Sequence, residues 1–285
     1  MNISESITDL HNFLHQHASA SIALVPTMGN LHQGHIDLVH KARELADIVV
    51  VSIFVNPLQF EAGGDLDNYP RTVQEDMEKL LEAGADVAFI PDVEEIYGND
   101  LQSATQVIVP GISSLWCGAS REGHFEGVTT IVNKLFNIVQ PDIAVFGEKD
   151  FQQLTIIKKM VSDLDIPVEV LGVPTRREAD GLAMSSRNGY LSAKEREVAP
   201  KLHEMLLKVC ETVQKANVDY QQVTEEAAME LDQLGFKTDY LAVCRQSDLK
   251  LATAEDNVVG NNLVILAAAY LGKARLIDNL AFVNR

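Results

Sequence analysis

Two imidazoles three positions apart, His32 and His35, stand in the turn Met28-Gly-Asn-Leu-His-Gln-Gly-His35, directly after the apolar run Ile22 to Val25. Such side chains donate to phosphoryl oxygens and can become cationic as charge builds there. Gly29 and Gly34 let an anion approach the backbone closely. Past Pro26-Thr27 the apolar positions Leu38, Val39, Ala42, Leu45 and Ala46 recur at helical spacing, which predicts a helix beginning near Gly34. Its unpaired N–H groups point back at the turn, where anions are favoured. The pattern suits a nucleotide phosphate. Two other readings fit the same residues: His35 continues the Leu31, Leu38, Ala42 stripe as a buried core histidine, or the pair supplies half of a metal site.

Three more polar clusters follow apolar runs. After Val55 comes Asn56-Pro-Leu-Gln-Phe60, after Phe146 comes Gly147-Glu-Lys-Asp150, and after Leu171 comes a longer loop ending in Asp180-Gly-Leu-Ala-Met-Ser-Ser-Arg-Asn188. Gly147 permits close backbone approach, Lys149 offers a point charge for phosphate, and Asp150 could hold a ribose hydroxyl or cap a helix together with Gln153. Ser185, Ser186 and Arg187 combine two hydroxyls with a permanent cation, which suits a polyphosphate clamp on a mobile loop and equally an ordinary surface turn. Gln59 is an uncharged amide between Leu58 and Phe60; it either reaches a ligand or faces solvent. Arg121-Glu-Gly-His124-Phe-Glu-Gly127 adds a cation and an imidazole that could touch substrate or a neighbouring subunit. Trp116 and Cys117 read as packing.

These clusters need a frame. Strand-like runs Ile22–Val25, Ile48–Val55, Val87–Ile90, Val107–Val109, Ile143–Phe146 and Val168–Leu171 alternate with helical patterns, which predicts a parallel sheet covered on both faces. Thr72 with Glu75 reads as a capping box ahead of Val73, Met77, Leu80 and Leu81, and Gly84 closes that helix. A second stripe, Val128, Ile131, Val132, Leu135, Phe136 and Val139, stops before Pro141. From Ser192 the pattern changes: Ser192 and Glu195 cap a helix that Pro200 should kink, Asp219 opens another ending at Gly235, then come Tyr240 to Cys244 and a hairpin turning at Gly272-Lys273. The division expected is an α/β domain with a parallel sheet over residues 1–183 and a smaller α+β domain over 184–285. In an open parallel sheet ligands bind beyond the carboxyl ends of the strands, where all four clusters fall.

Composition bounds the function. The 285 residues are 46% hydrophobic and 22% charged, which is globular. With 23 basic against 41 acidic side chains the net charge is −18, which opposes nonspecific binding to nucleic acid or an anionic membrane. An anionic nucleotide would therefore need a local positive cluster and Mg²⁺. Cys117, Cys210 and Cys244 have no paired spacing and read as free thiols. The N-terminus lacks a basic signal region and no apolar run is long enough to span a bilayer, so a cytoplasmic location is expected.

Taken together, Pro26 to His35, Phe54-Val-Asn-Pro-Leu-Gln-Phe60, Tyr69-Pro-Arg71, Phe146-Gly-Glu-Lys-Asp-Phe151 and Asp180 to Asn188 closely resemble the pantoate–β-alanine ligase (pantothenate synthetase) family over nearly the whole chain, as does the ending Ala267 to Asn279. The resemblance implies a Rossmann-like N-terminal domain with a C-terminal lid domain, a homodimer, and Mg²⁺-dependent joining of (R)-pantoate to β-alanine through a pantoyl adenylate, with AMP and pyrophosphate released from ATP. It implies that Met28, Gly29, Asn30, Leu31, His32, Gln33, Gly34 and His35 line the ATP site, with His35 as a proton donor and His32 on phosphate. Gly147, Glu148, Lys149 and Asp150 would contact ribose and phosphate, Arg176 would touch adenine through its backbone, and Met184, Ser185, Ser186 and Arg187 would close over the triphosphate. His32, His35, Lys149, Ser185, Ser186 and Arg187 are the catalytic candidates; Gln59 and Gln153 would hold pantoate. Asn30, Gln33 and Arg176 depart from the family's usual residues. A nucleotidylyltransferase that keeps the nucleotide in its product would share H-x-G-H but has no reason for Asn56-Pro-Leu-Gln59 with Gly147-Glu-Lys-Asp150. A sensor without turnover and a zinc protein built on His32 and His35 are the other classes weighed.

Overall fold

A computed structural model describes all residues except 61–65, 67–68, 216–217, 257 and 285. In chain order the elements are β1 (Asn2–Ser4), α1 (Ile7–His15), β2 (Ile22–Thr27), α2 (Gln33–Leu45), β3 (Ile48–Ile53), α3 (Val73–Ala83), β4 (Val87–Phe89), α4 (Val93–Tyr97), α5 (Cys117–Ser120), α6 (His124–Val139), β5 (Ile143–Gly147), α7 (Phe151–Asp163) and β6 (Glu169–Val173). Then follow α8 (Ala193–Val198), α9 (Lys201–Val213), α10 (Tyr220–Gln233), β7 (Lys237–Arg245), β8 (Asn262–Leu271) and β9 (Ala274–Val283). The chain forms two compact units. The first comprises Met1–Ser114, Arg121–Glu148 and Ile156–Pro174; the second comprises Leu115–Ser120, Lys149–Thr155 and Thr175–Arg285. Against a single cut at 183/184, the second unit thus starts earlier and recruits two short pieces of the preceding chain.

The first unit is a six-stranded sheet in the order β1-β4-β3-β2-β5-β6, with every pairing parallel. All residues of β3 are buried, as expected of a Val/Ile run covered on both faces. The three-residue β1, too short and polar to announce itself in the sequence, adds an edge beside β4. Helix α1 behind it begins where the Ser6 hydroxyl accepts the Asp9 N–H at 3.0 Å.

Several sequence expectations change. Residues 107–109 form no strand: the Val107 N–H is taken by the Thr130 hydroxyl at 2.9 Å and its carbonyl by Thr129, so α6 side chains satisfy the backbone that a sheet would otherwise pair. The box at Thr72 and Glu75 does not form, because the Thr72 hydroxyl turns to Asp76 Oδ2 at 3.2 Å. Gly84 does close α3 at φ 83°, whereas Leu81 is 60% exposed and leaves the buried stripe.

The second unit carries an antiparallel sheet in the order β7-β8-β9 against α9 and α10. Ser192 and Glu195 form the expected capping box, and Asp219 caps α10. Pro200 breaks the helix rather than kinking it: α8 ends at Val198 and α9 begins at Lys201, because Pro lacks the donor that would join them. Leu202, Met205, Leu206 and Val209 of α9 join one buried cluster with residues of the sheet, where α9 packs on β8 and β9. The three cysteines are free and buried, and Trp116 donates to the Leu249 carbonyl at 2.8 Å in a packing role. No described helix is long and apolar enough to cross a membrane.

Candidate active site

The crevice follows from one missing donor. Successive residues of β2 alternate sides: the Ile22 carbonyl accepts the Asp142 N–H on the β5 side and the Thr27 carbonyl accepts the Phe54 N–H on the β3 side. Pro26, in phase with Ile22, therefore faces β5 without an N–H. Pairing of β2 with β3 runs from Ile22 to Thr27 and that of β5 with β6 from Ile143 to Gly147, but β2 pairs with β5 only at Ala23 and Leu24. The carboxyl halves of β2 and β5 are thus left unpaired with each other at the point where the strand order reverses, the usual ligand position in such sheets.

The turn after β2 opens onto this crevice. Gly29 at φ 80° and Asn30 at φ 51° are both left-handed, and a Cβ on Gly29 would lie 3.1 Å from Asp76 Oδ2 and from Ile53 Cγ2. Asn is among the residues that tolerate this conformation best, which gives its presence at position 30 a backbone rationale. Asp76, fully buried on α3, accepts the Asn30 N–H at 2.8 Å and the Leu31 N–H at 2.7 Å, and Lys79 donates to the Leu31 carbonyl at 2.8 Å. Sequence reasoning missed both residues. The signal was present, since Asp76 interrupts the Val73, Met77, Leu80 stripe with a carboxylate on the buried side.

His32 and His35 cap α2 on each other. His32 Nδ1 accepts the Gly34 N–H at 3.1 Å, and His35 Nδ1 accepts the His32 N–H at 3.2 Å. Because backbone N–H groups can only donate, both Nδ1 atoms act as acceptors and the neutral rings carry their proton on Nε2. Turning cationic, as expected of these imidazoles when charge builds on phosphate, would cost each cap its bond at Nδ1. The buried-core reading of His35 fails, as both rings are half-buried, with centroids 4.1 Å apart. Gln33 is exposed and donates to Asp37 at 3.0 Å. Among the described residues no three His, Cys, Asp or Glu side chains gather as a metal cage.

Beyond β3, Asn56 caps the single turn Pro57–Gln59. Gln59 is buried, not solvent-facing: its amide donates to Met28 Sδ at 3.1 Å and accepts from Asn56 Nδ2 at 3.2 Å. Asn56 also donates to the Gly127 carbonyl at 3.0 Å and accepts from the Tyr97 hydroxyl at 2.8 Å, whose pKa burial pushes well above the ordinary phenol value. The turn sits directly on α6, since a Cβ on Gly127 would come 2.4 Å from the Leu58 carbonyl oxygen. Arg121 and His124, bonded to each other at 3.0 Å, both donate to the Gln59 carbonyl.

In the first unit, a Cβ on Gly147 would meet no atom within 4 Å beyond its chain neighbours. In the second unit Lys149 closes a helical turn, Glu148–Asp150, with Nζ 3.9 Å from Asp150 Oδ2. Asp150 is exposed and Gln153 half-buried on α7, beside the buried Gln152, which is committed to the Cys117 N–H and the Leu115 carbonyl. Arg176 is exposed and its carbonyl accepts the Met184 N–H at 2.9 Å. Ser185 caps the turn Ser186–Tyr190 by accepting the Arg187 N–H at 3.2 Å, and Met184, Ser185, Ser186 and Arg187 are all half-buried. Arg177 ties this loop down, donating to the Gly181 carbonyl at 3.1 Å and to both oxygens of Asp278 at 2.7 and 2.9 Å.

A sequence profile of the pantoate-beta-alanine ligase family matches residues 2–281. The chain is 53% identical over its full length to the pantothenate synthetase of Marinobacter nauticus, covering 100% of both chains, and 56% identical to that of a Shewanella species, over 92% of each. A crystal structure of pantothenate synthetase from Thermus thermophilus superimposes with a TM-score of 0.87 at 43% identity, over 98% of this chain and 99% of that one. One from Francisella tularensis, described as complexed with beta-gamma ATP and beta-alanine, has a TM-score of 0.82 at 35% identity, over 100% and 98%. With a family match over residues 2–281 and relatives more than half identical across nearly the whole chain, the chain belongs to the pantoate–β-alanine ligase family.

Proposed function

We propose that this chain joins pantoate to β-alanine at the expense of ATP. The observation that carries the reading is the pair of imidazoles whose Nδ1 atoms are engaged by backbone N–H groups, so that two neutral Nε2–H donors stand at the N-terminus of α2 beside the unpaired ends of β2 and β5. Donors fixed in advance stabilise charge developing on phosphorus without reorganising during the reaction. The Francisella relative's ATP and β-alanine add support.

In the first step a pantoate carboxylate oxygen attacks the α-phosphorus, the bond from that phosphorus to the bridging oxygen breaks, and pyrophosphate leaves a pantoyl adenylate. The nucleophile is already ionised at neutral pH, so no strong base is required. His32, His35 and Lys149 donate to the phosphoryl oxygens, Ser185, Ser186 and Arg187 hold the departing pyrophosphate, and Gly147 to Asp150 bind ribose and phosphate. Met28 to Gly34 line the nucleotide, and Arg176 meets adenine through its backbone. Gln59 and Gln153 orient pantoate. In the second step the neutral β-alanine amine attacks the acyl carbon, gives up a proton, and AMP departs with the carboxylate oxygen.

Mg²⁺ would neutralise the triphosphate. Its ligands are mostly phosphate oxygens and water in such sites, which agrees with a donor set of imidazoles, amides and cations around the nucleotide. The 184–285 region would act as a lid, and the working state would be a cytoplasmic homodimer. The test is isotope exchange: with Mg²⁺, ATP and pantoate but no β-alanine, labelled pyrophosphate should enter ATP, and ¹⁸O from the pantoate carboxylate should reach AMP once β-alanine is added. Exchange that requires β-alanine would rule out the adenylate route. No pyrophosphate release under any condition would leave a nucleotide-binding protein without turnover.

A further inference from the structure

We propose that Asn279, in β9, is a positioning residue for Lys149, an inference that rests on Lys149 contacting the nucleotide as set out above. The Asn279 side chain is 8% exposed, and its Nδ2 donates to the Lys149 main-chain carbonyl at 2.9 Å across 130 positions of sequence. This bond fixes the turn Glu148–Asp150 from which the Lys149 side chain projects. An amide held this way must itself be held. The Asn279 N–H donates to Asp278 Oδ1 at 2.7 Å, and the same Asp278 oxygens accept both terminal nitrogens of Arg177. His203 Nδ1 lies 3.5 Å from Asp278 Oδ2, and a Cβ on Gly181 would approach the His203 ring to 3.2 Å. Asp278 is itself 4% exposed, so this dipeptide is a buried polar junction within the second unit and not a surface ion pair.

Its geometry is economical: the middle of β9 fixes the carbonyl of Lys149 through Asn279 and, through Asp278 and Arg177, the carbonyl of Gly181 on the segment leading to Ser185. A buried amide could serve packing alone, but then its donor would not need to meet the backbone of the one lysine in the phosphate set. The junction therefore sets where the ammonium group starts, while the rotamers of Lys149 decide where it ends.

The test is a double-mutant cycle read by ATP affinity, which needs no turnover, with steady-state rates beside it. Asn279→Ala in the otherwise unchanged protein should raise the ATP Kd roughly 3- to 10-fold, the size expected for one lost buried hydrogen bond, and lower kcat in parallel. In a Lys149→Ala background the same substitution should change the ATP Kd less than about 2-fold, because the side chain being positioned is gone. Asn279→Asp keeps the shape but presents oxygen to the Lys149 carbonyl; it should be at least as harmful and serves if the alanine variant does not fold. Equal losses in both backgrounds would assign Asn279 to packing and overturn the proposal. A Lys149→Ala change that leaves ATP affinity and turnover intact would overturn the role of Lys149 as well, whereas a Lys149 effect without an Asn279 effect would overturn the positioning alone.

Discussion

The turn after β2 and the Lys149 turn, both assigned above by proposal to phosphate, are built in opposite ways. His32 and His35 are oriented by backbone N–H groups within three residues, so the helix that presents the rings also fixes their tautomers. Lys149 is held from β9, through contacts 130 and 101 residues apart in sequence, by a buried amide, a carboxylate and a guanidinium. A local device welds function to secondary structure. A long-range one separates them, so its chemistry can be removed while the fold remains.

The largest expected effect tests that separation. His35→Ala and Lys149→Ala should each lower kcat and kcat/KM together by roughly 10²-fold or more, as for a lost transition-state donor. Only His35→Ala should also lower the melting temperature, since it removes the acceptor of the His32 N–H and costs about 1 kcal/mol as a broken cap. Steady-state kinetics with thermal unfolding on both variants decide; equal melting temperatures would show that the histidine cap contributes nothing to stability.

Next in size is Gly127→Ala, which separates pantoate from nucleotide recognition within the first unit. The added Cβ would sit 2.4 Å from the Leu58 carbonyl oxygen, so the Asn56–Gln59 turn must move. Overpacking of this kind costs about 1–3 kcal/mol. Calorimetric titration should show pantoate binding weakened about 10-fold, the equivalent of 1.4 kcal/mol, with ATP affinity largely kept. An equal loss for both ligands would mean that the turn supports the whole crevice.

The smallest effect concerns acid. Burial pushes the Asp278 pKa up, but the nearby His203 ring, the hydrogen bonds from Arg177 and its charge outweigh it and hold the carboxyl below its ordinary value. A carboxyl that is more acidic when folded contributes stability above its unfolded pKa, near 3.8, and that contribution is lost as pH falls through the lower folded value. Urea unfolding at a series of pH values below about 4 should therefore show a shallower decline for Asp278→Asn than for the unsubstituted chain, from a lower starting stability. Parallel curves would place the acid sensitivity elsewhere.

How much of this could be read in the sequence depends on range. The helix after β2, the Gly84 terminus, the Ser192 box and the hairpin at Gly272 follow local rules and stand where periodicity and turn chemistry put them. Val107–Val109 misled because a Val/Ile run is apolar whether it pairs with a strand or lies over a helix, and two threonines twenty-odd positions away decided which. Thr72 misled because a spacing rule does not say that a neighbouring carboxylate will claim the hydroxyl. The histidines, Gln59 and Lys149 were legible as unusual polar residues following apolar runs, while Asp76, Lys79 and Asn279 were not, because their roles are to hold backbone carried by other segments.

The sequence by itself determined which loops hold the unusual polar clusters and that a parallel sheet must present them, since residue type, helix capping and strand hydrophobicity are local or periodic properties. Only the tertiary structure decided that the pairing of β2 with β5 stops at Leu24, that both imidazoles accept backbone donors at Nδ1, that Gln59 is buried, and that Asn279 reaches Lys149. The physical reason is that hydrogen bonds between distant segments exist only after strand order and packing have brought their partners within about 3 Å, a distance no sequence spacing encodes.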